Sequence, residues 1–366
     1  MKILGQSFSK RELERRTGNL QQIGGTRHFE YTAGRAKGVE AIEVNTGGGL
    51  VFTVLPGRGL DIANCTFQGI NLVYLAPGGV THPAFYNPAG FEWLNTFFGG
   101  LMTTCGLTYF GDPERDGDQE LGLHGRYAGL ASVVVRDNSR WEGEEYRIEI
   151  SGTVEECVLF GDKLRLERSI TTALGAKHLR IRDRVENFGF RSSPLTVLYH
   201  INCGFPLLDE SSELELSSVE IEPCDRNAEQ HLGQVRQFSR PRAGFQGQNF
   251  LHRMIPDAEG YARAALINPR LQGGLGLYLR FRTVTLPFLN EWKMLDEGDY
   301  VVGIEPVNTK TVGRATLKKE KRLPWIEPGE CRDMEVEIGI LQGEREIEEF
   351  RDGLRKILAR QDFKKK

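Results

Sequence analysis

Apolar and polar residues alternate with a period of two through the middle of the chain. The runs at 146–154, 163–170 and 178–185 alternate cleanly, and the apolar run at 195–200 follows them. Such alternation marks strands with one buried face. Turn residues separate the runs at Gly161-Asp162, Gly175 and Asn187-Phe188-Gly189. Further strand-like runs lie at 38–46, 50–55, 131–136, 214–221, 264–267, 275–281, 300–305 and 335–340. Helical signals are few. Residues 8–17 form a polar candidate with Ser9 as N-cap. At 344–360, Ile347, Phe350, Leu354, Ile357 and Leu358 share one helical stripe. Closely spaced strands without intervening helices predict an all-β, mostly antiparallel sandwich or barrel with a short C-terminal helix. No linker or fixed-period repeat divides the chain, so one continuous domain over residues 1–366 is expected.

Composition sharpens this reading. Glycine makes up 43 of the 366 residues, about 12 % against an average near 7 %, as many hairpin turns require. The 47 basic and 50 acidic residues leave a net charge of −3, which argues against nucleic acid or a membrane surface as partner. No apolar leader stands at the N-terminus, and no run approaches the roughly 20 apolar residues of a membrane span. The six cysteines are scattered without a CxxC pair, so free buried thiols and a cytoplasmic location are expected.

Four short segments place chemical groups beside backbone irregularities. Arg58 stands between two glycines ahead of Asp61, either as a donor to a ligand or as one half of an Arg58–Asp61 turn pair. His124 lies in Gly122-Leu123-His124-Gly125, a loop able to approach a ligand closely. His200 ends an apolar strand, from which it can project into a concave face. Glu305 lies between apolar neighbours in a strand that Pro306 is expected to end. Its burial is costly unless it is paired or protonated, so a raised pKa suits it to proton transfer. Trp292 is a candidate floor for a sugar, with Lys293 beside it. Dinucleotide, phosphate-loop, zinc-protease and serine-hydrolase motifs are missing. No cofactor and no metal are expected, although His124, His200 and Glu305 could formally make a two-histidine, one-carboxylate set.

Taken in order, these segments resemble the aldose 1-epimerases, or galactose mutarotases. The resemblance rests on Leu123-His124-Gly125, the histidine strand after the Asn187–Gly189 turn, and Glu305-Pro306 ending an apolar strand. Arg58-Gly59-Leu60-Asp61-Ile62, Gly99–Gly106, Leu123–Arg126 and Gly303–Pro306 look like the branch named DUF4432. The match covers roughly residues 25–342 and implies a β-supersandwich of the galactose mutarotase type. It also implies a cofactor-independent reaction in which the anomers of an aldose, or of a modified and possibly anionic sugar, interconvert through ring opening. By position, His200 matches the general acid at the ring oxygen, Glu305 the general base at the C1 hydroxyl, and His124 the residue that orients the sugar.

Some positions depart from the family pattern. The arginine that the mutarotases carry ahead of their histidine motif has no counterpart in Gly99–Gly106, leaving Arg58 and Arg126 as substitutes. Gln248 and His252 lie where the family places a substrate-binding aspartate. The partner implied is a small-molecule sugar, with the chain a monomer or homodimer. A fold does not set a function, so the alternative is a non-catalytic carbohydrate-binding or regulatory protein on the same scaffold.

Overall fold

The computed structural model describes residues 1–3 and 5–364. Among these residues, antiparallel strands form three large sheets. The nine-stranded sheet is built around Glu145–Cys157, Lys163–Ala173, His178–Asn187, Cys331–Gln342, Leu275–Arg282 and Tyr261–Asn268. The seven-stranded sheet runs in the order Ser218–Pro223, Gln248–Met254, Phe288–Leu295, Tyr300–Val307, Leu198–His200 and Thr103–Cys105. Asn202–Gly204 joins it beside Tyr300–Val307. The five-stranded sheet runs from Gly25–Glu30 to Ile70–Asn71. The expected all-β, mostly antiparallel fold is what the strands form.

The inward faces of the three sheets share one apolar core. Ile42, Phe52 and Ile62 enter it from the small sheet, Leu166, Ile181, Leu277 and Val336 from the large one, and Tyr199, Ile201, Val302 and Ile304 from the seven-stranded sheet. The seven-stranded sheet is also covered on its second face. There Cys105, Leu198, Leu251 and Val307 pack against Trp93, Phe97, Phe110 and Leu123 from overlying loops. Burial on both faces erases alternation. For that reason Gln248–Met254, Phe288–Leu295 and Asp61–Phe67 do not stand out as strands in the sequence, whereas the half-exposed large sheet does.

Several local expectations need correction. The run at 195–200 forms a strand only over Leu198–His200, and that at 214–221 breaks at Ser217. The ladder does not stop at Pro306, because Val307 still pairs with Phe288; a proline lacks only the donor. The C-terminal helix spans Gly343–Lys364 and seats Ile347, Phe350 and Leu354 against the large sheet. Ser9 caps a shorter first helix, Lys10–Glu14, through a capping box with Glu12. All six cysteines are free, but Cys157, Cys224 and Cys331 are exposed rather than buried.

Between the sheets lies a fully buried ionic cluster. Arg168 forms a bidentate pair with Asp183 at 2.9 and 2.7 Å and reaches Asp61 at 3.1 Å and the Thr104 hydroxyl at 2.9 Å. Tyr199 donates its hydroxyl to Asp183 at 2.7 Å, and Thr104 donates backbone N–H and hydroxyl to Asp61. Tyr199 and Thr104 belong to the last two strands at one end of the seven-stranded sheet and point away from its covered second face. The cluster therefore clamps the strand that carries His200 from behind. Removing one member of such a cluster leaves buried charge uncompensated. Arg168→Leu is expected to lower unfolding free energy by about 3–5 kcal/mol, as read from the urea midpoint.

Candidate functional site

Strand register assembles the site. In the seven-stranded sheet Leu251 pairs with Asn290, Asn290 with Glu305, and His200 with Thr103. Leu198 pairs with Val307 and Asn202 with Gly303, which sets His200 opposite Glu305. One row across the sheet thus reads Leu251, Asn290, Glu305, His200, Thr103. In the next row Trp292 faces Gly303. A Cβ on Gly303 would overlap Glu305 Oε1, so the missing side chain gives the carboxyl its place.

His124 arrives from above, on the loop after Gly122. Its backbone is left-handed at φ 57°, held by His124 N–H to the Gly111 carbonyl and Gly106 N–H to the His124 carbonyl. Gly122 and Gly125 are required here, since a Cβ on either would strike the carbonyls of Pro88 or Tyr109. The His124 and His200 rings meet edge to face with centroids 5.6 Å apart. Trp93 lies 4.7 Å from His124, and Trp292 5.4 Å and Phe97 5.3 Å from His200.

These groups line one cavity of about 280 Å³, to which Phe91, Leu94, Phe110, Asp112, Asp225, Asn249 and Thr311 also contribute. That volume falls just below the range of about 300 to 1,000 Å³ usual for ligand sites. A wider hollow of about 740 Å³ lies against the large sheet. Much of its charge is already paired, Arg182 with Glu335 and Arg184 with Asp333, and it contains none of the histidines. Among the described residues no three His, Cys, Asp or Glu side chains are grouped to hold a metal ion.

The electrostatics follow from the apolar walls. His200 Nδ1 lies 3.2 Å from Glu305 Oε1, but the contact lacks hydrogen-bond geometry, and among the described residues neither atom has a hydrogen-bond partner. Asn290 donates its amide N–H to Glu305 Oε2 at 2.7 Å. Burial raises the Glu305 pKa to about 8, with the Asn290 bond opposing. Burial, then the neighbouring His124, lowers that of His200 to about 3, and burial lowers that of His124 to about 4. All three shifts favour the uncharged form of the group. The raised Glu305 pKa is the direction expected from its apolar strand neighbours. Among the described residues no Lys or Arg lines the cavity to oppose that shift.

Of the residues expected at the site, His124, His200, Glu305 and Trp292 come together, and six others do not. Arg58 is buried and donates to the carbonyls of Ala128, Thr81 and Thr96, so it pins loops rather than a ligand. Asp61 belongs to the Arg168 cluster. Arg126 is exposed and lines a separate pocket behind the His124 loop. Lys293 donates to the carbonyls of Gln234, Val235 and Gln237. His252 pairs with Glu291 at 3.0 Å inside the protein, and Gln248 lies buried outside the cavity. Asn290, Asn249, Asp225 and Trp93 were not singled out by sequence. Asn290 was within reach, because strand alternation puts it on the same face as Trp292.

The buried carboxyl has a stability consequence. Below about pH 4.5 Glu305 is protonated in both states and contributes no pH dependence. Between 4.5 and about 8 the folded protein retains a proton that the unfolded chain releases, so stability falls as pH rises. Glu305→Gln is therefore expected to gain on the wild type by up to about 1.4 kcal/mol per pH unit in that window. Urea unfolding of both proteins at pH 5 and pH 8 measures the difference.

Comparison with known proteins agrees with the fold. Residues 36–340 match the family model described as a domain of unknown function, DUF4432. No curated protein sequence matches the chain significantly. Among solved structures, a "putative aldose 1-epimerase" from Klebsiella pneumoniae superposes with a TM-score of 0.87 at 23 % identity, over 93 % of this chain and 91 % of that one. A galactose mutarotase-like protein from Clostridium acetobutylicum gives 0.61 at 12 % identity, over 87 % and 99 %. Galactose 1-epimerase from Lactobacillus acidophilus gives 0.57 at 14 %, over 88 % and 100 %. At these identities the likeness shows a shared galactose mutarotase-like fold. With the family model matched over most of its length, the chain belongs to the DUF4432 family.

Proposed function

We propose that this protein is a cofactor-independent enzyme of the aldose 1-epimerase type, interconverting the anomers of a neutral aldose or neutral modified sugar. The observation that carries the reading is the meeting of His124, His200 and Glu305 in one aromatic-walled cavity. Opening a cyclic hemiacetal takes a proton from the C1 hydroxyl and gives one to the ring oxygen; rotation about C1–C2 and reclosure then yield the other anomer. Glu305 and His200 are the groups that exchange protons with the sugar. His124, whose buried Nδ1 has no protein partner, orients a hydroxyl. Trp93 and Trp292 supply flat apolar surfaces for the C–H faces of a sugar ring.

The cavity chemistry argues against the anionic sugar considered from sequence. Asp112 and Asp225 line it and, among the described residues, no Lys or Arg does, because Arg58 and Lys293 are spent on backbone carbonyls. An anion would be repelled there without compensation.

Saturation-transfer NMR over a panel of neutral and anionic monosaccharides tests the reading. Exchange of at least one neutral sugar is expected to be accelerated. Glu305→Gln and His200→Asn are each expected to reduce it by about 10²-fold or more. Exchange at the buffer rate with every sugar, alongside saturable sugar binding, would identify a carbohydrate-binding protein instead. Gly303→Ala, which displaces the Glu305 carboxyl, is expected to lower kcat like the Glu305 variant; full activity would place the reactive groups elsewhere.

A further inference from the structure

We propose that the mouth of the cavity is a second sugar subsite, built on Phe91 and Leu94, so that the preferred substrate is a reducing disaccharide joined through O4 or O3 of its reducing unit. The proposal rests on the anomer-exchange reading above and names the substrate class for it. Phe91 and Leu94 line the same cavity as Glu305 and His200. Yet they are 60 % and 56 % exposed, where Glu305 and His200 are 1 % and 4 %. The carboxyl and imidazole therefore mark the closed end of the cavity, and the two apolar side chains its open end.

The mouth is preorganised. Phe91 and Leu94 stand three residues apart on the 3₁₀ turn Glu92–Asn95, with the Leu94 N–H donating to the Phe91 carbonyl at 3.1 Å. Side chains so spaced lie one above the other. Trp93 of the same turn is turned inward, 3 % exposed and stacked on Phe97 at 4.6 Å. Arg35 donates to the Asn95 carbonyl at 2.9 Å, Arg58 to the Thr96 carbonyl at 3.1 Å, and the Leu123 N–H to the Gly90 carbonyl at 2.9 Å. One short, tied-down turn thus supplies a wall to the inner cavity and an apolar shelf to water. Such a shelf, continuous with a ligand cavity, marks a binding surface. Asp112, Asn249 and Thr311 bring polar groups to the same cavity. That lining suits a ring with an apolar C–H face and a hydroxyl edge rather than a purely apolar group.

The chemistry of the inner ring decides where a second unit can attach. Anomer exchange needs a free C1 hydroxyl, so no substituent can sit at O1. The C1 hydroxyl and the ring oxygen must meet Glu305 and His200 at the closed end. In a pyranose C4 lies across the ring from C1, and C3 across from the ring oxygen. The C3–C4 edge therefore faces the mouth, and a glycosidic bond at O4 or O3 leads outward to Phe91 and Leu94. O2 and the C6 arm lie beside the buried edge. The walls there, such as Trp93, Phe97 and Leu198, are 8 % exposed or less, so a second ring attached at either has no path to water.

Saturation-transfer NMR with D-glucose, D-galactose and D-mannose, each beside its O4-linked and O6-linked homodisaccharide, tests the subsite. At least one O4-linked dimer is expected to show a kcat/KM about threefold to tenfold above that of its monosaccharide. Its O6-linked isomer should lie at or below the monosaccharide. Phe91→Ser and Leu94→Ser should each bring the dimer-to-monosaccharide ratio back toward one. Both rates come from one protein preparation, so any loss of folded protein cancels in the ratio. O4-linked dimers no better than their monosaccharides, or a ratio unchanged in both variants, overturns the subsite while leaving anomer exchange intact. Exchange at the buffer rate with every sugar, here and in the wider panel, would instead sink the anomer-exchange reading. Dissociation constants from titration calorimetry would then still decide the subsite: tighter binding of O4-linked than of O6-linked dimers, lost in Phe91→Ser, upholds it, and equal binding overturns it.

Discussion

A carboxyl group buried opposite an imidazole, with no Lys or Arg among the described residues lining its cavity, is the constraint on which the site depends. Placing Glu305 in water would cost nothing. Strand register instead sets it across from His200, under a lid of Trp93, Phe97 and Phe110. The least costly form of the pair there is uncharged, and an uncharged pair can both donate and accept. The low dielectric between the apolar walls penalises a fixed ion pair there.

The basic residues that might have filled the cavity with charge serve the architecture instead. Arg168 binds two aspartates behind the site sheet, Arg58 ties three loops by their carbonyls, and Lys293 caps the turn at 234–237. The Arg168 cluster holds Tyr199 and Thr104, the residues next to His200 and to its pairing partner Thr103. The rigidity of the cavity face therefore comes from a charged network on the opposite face, and that charge is kept away from the cavity.

How much of this was legible in the sequence depended on burial. Strands with one wet face, such as those between Glu145 and Asn187, announce themselves by alternation. Strands covered on both sides, such as Gln248–Met254 and Phe288–Leu295, do not. His124, His200 and Glu305 could be picked out because each stands in an unusual setting: between glycines, at an apolar strand end, and inside an apolar strand. Arg58 and Lys293 misled for the same reason, since a charge in an apolar setting signals a partner without saying whether it is ligand or backbone. Asn290 was hidden by its ordinary context. The hairpin joining Leu295 to Tyr300 places it opposite Glu305, but only once both strands are recognised.

The central claim is that the Glu305–His200 pair faces the reacting atoms of a neutral sugar. A crystal structure of the protein with a neutral monosaccharide that it binds tests this most directly. The account predicts the anomeric hydroxyl within hydrogen-bond distance of Glu305, the ring oxygen within hydrogen-bond distance of His200 Nε2, and the ring lying against Trp93 or Trp292. A sugar seated with its anomeric carbon away from both groups, or bound in another pocket altogether, would contradict it.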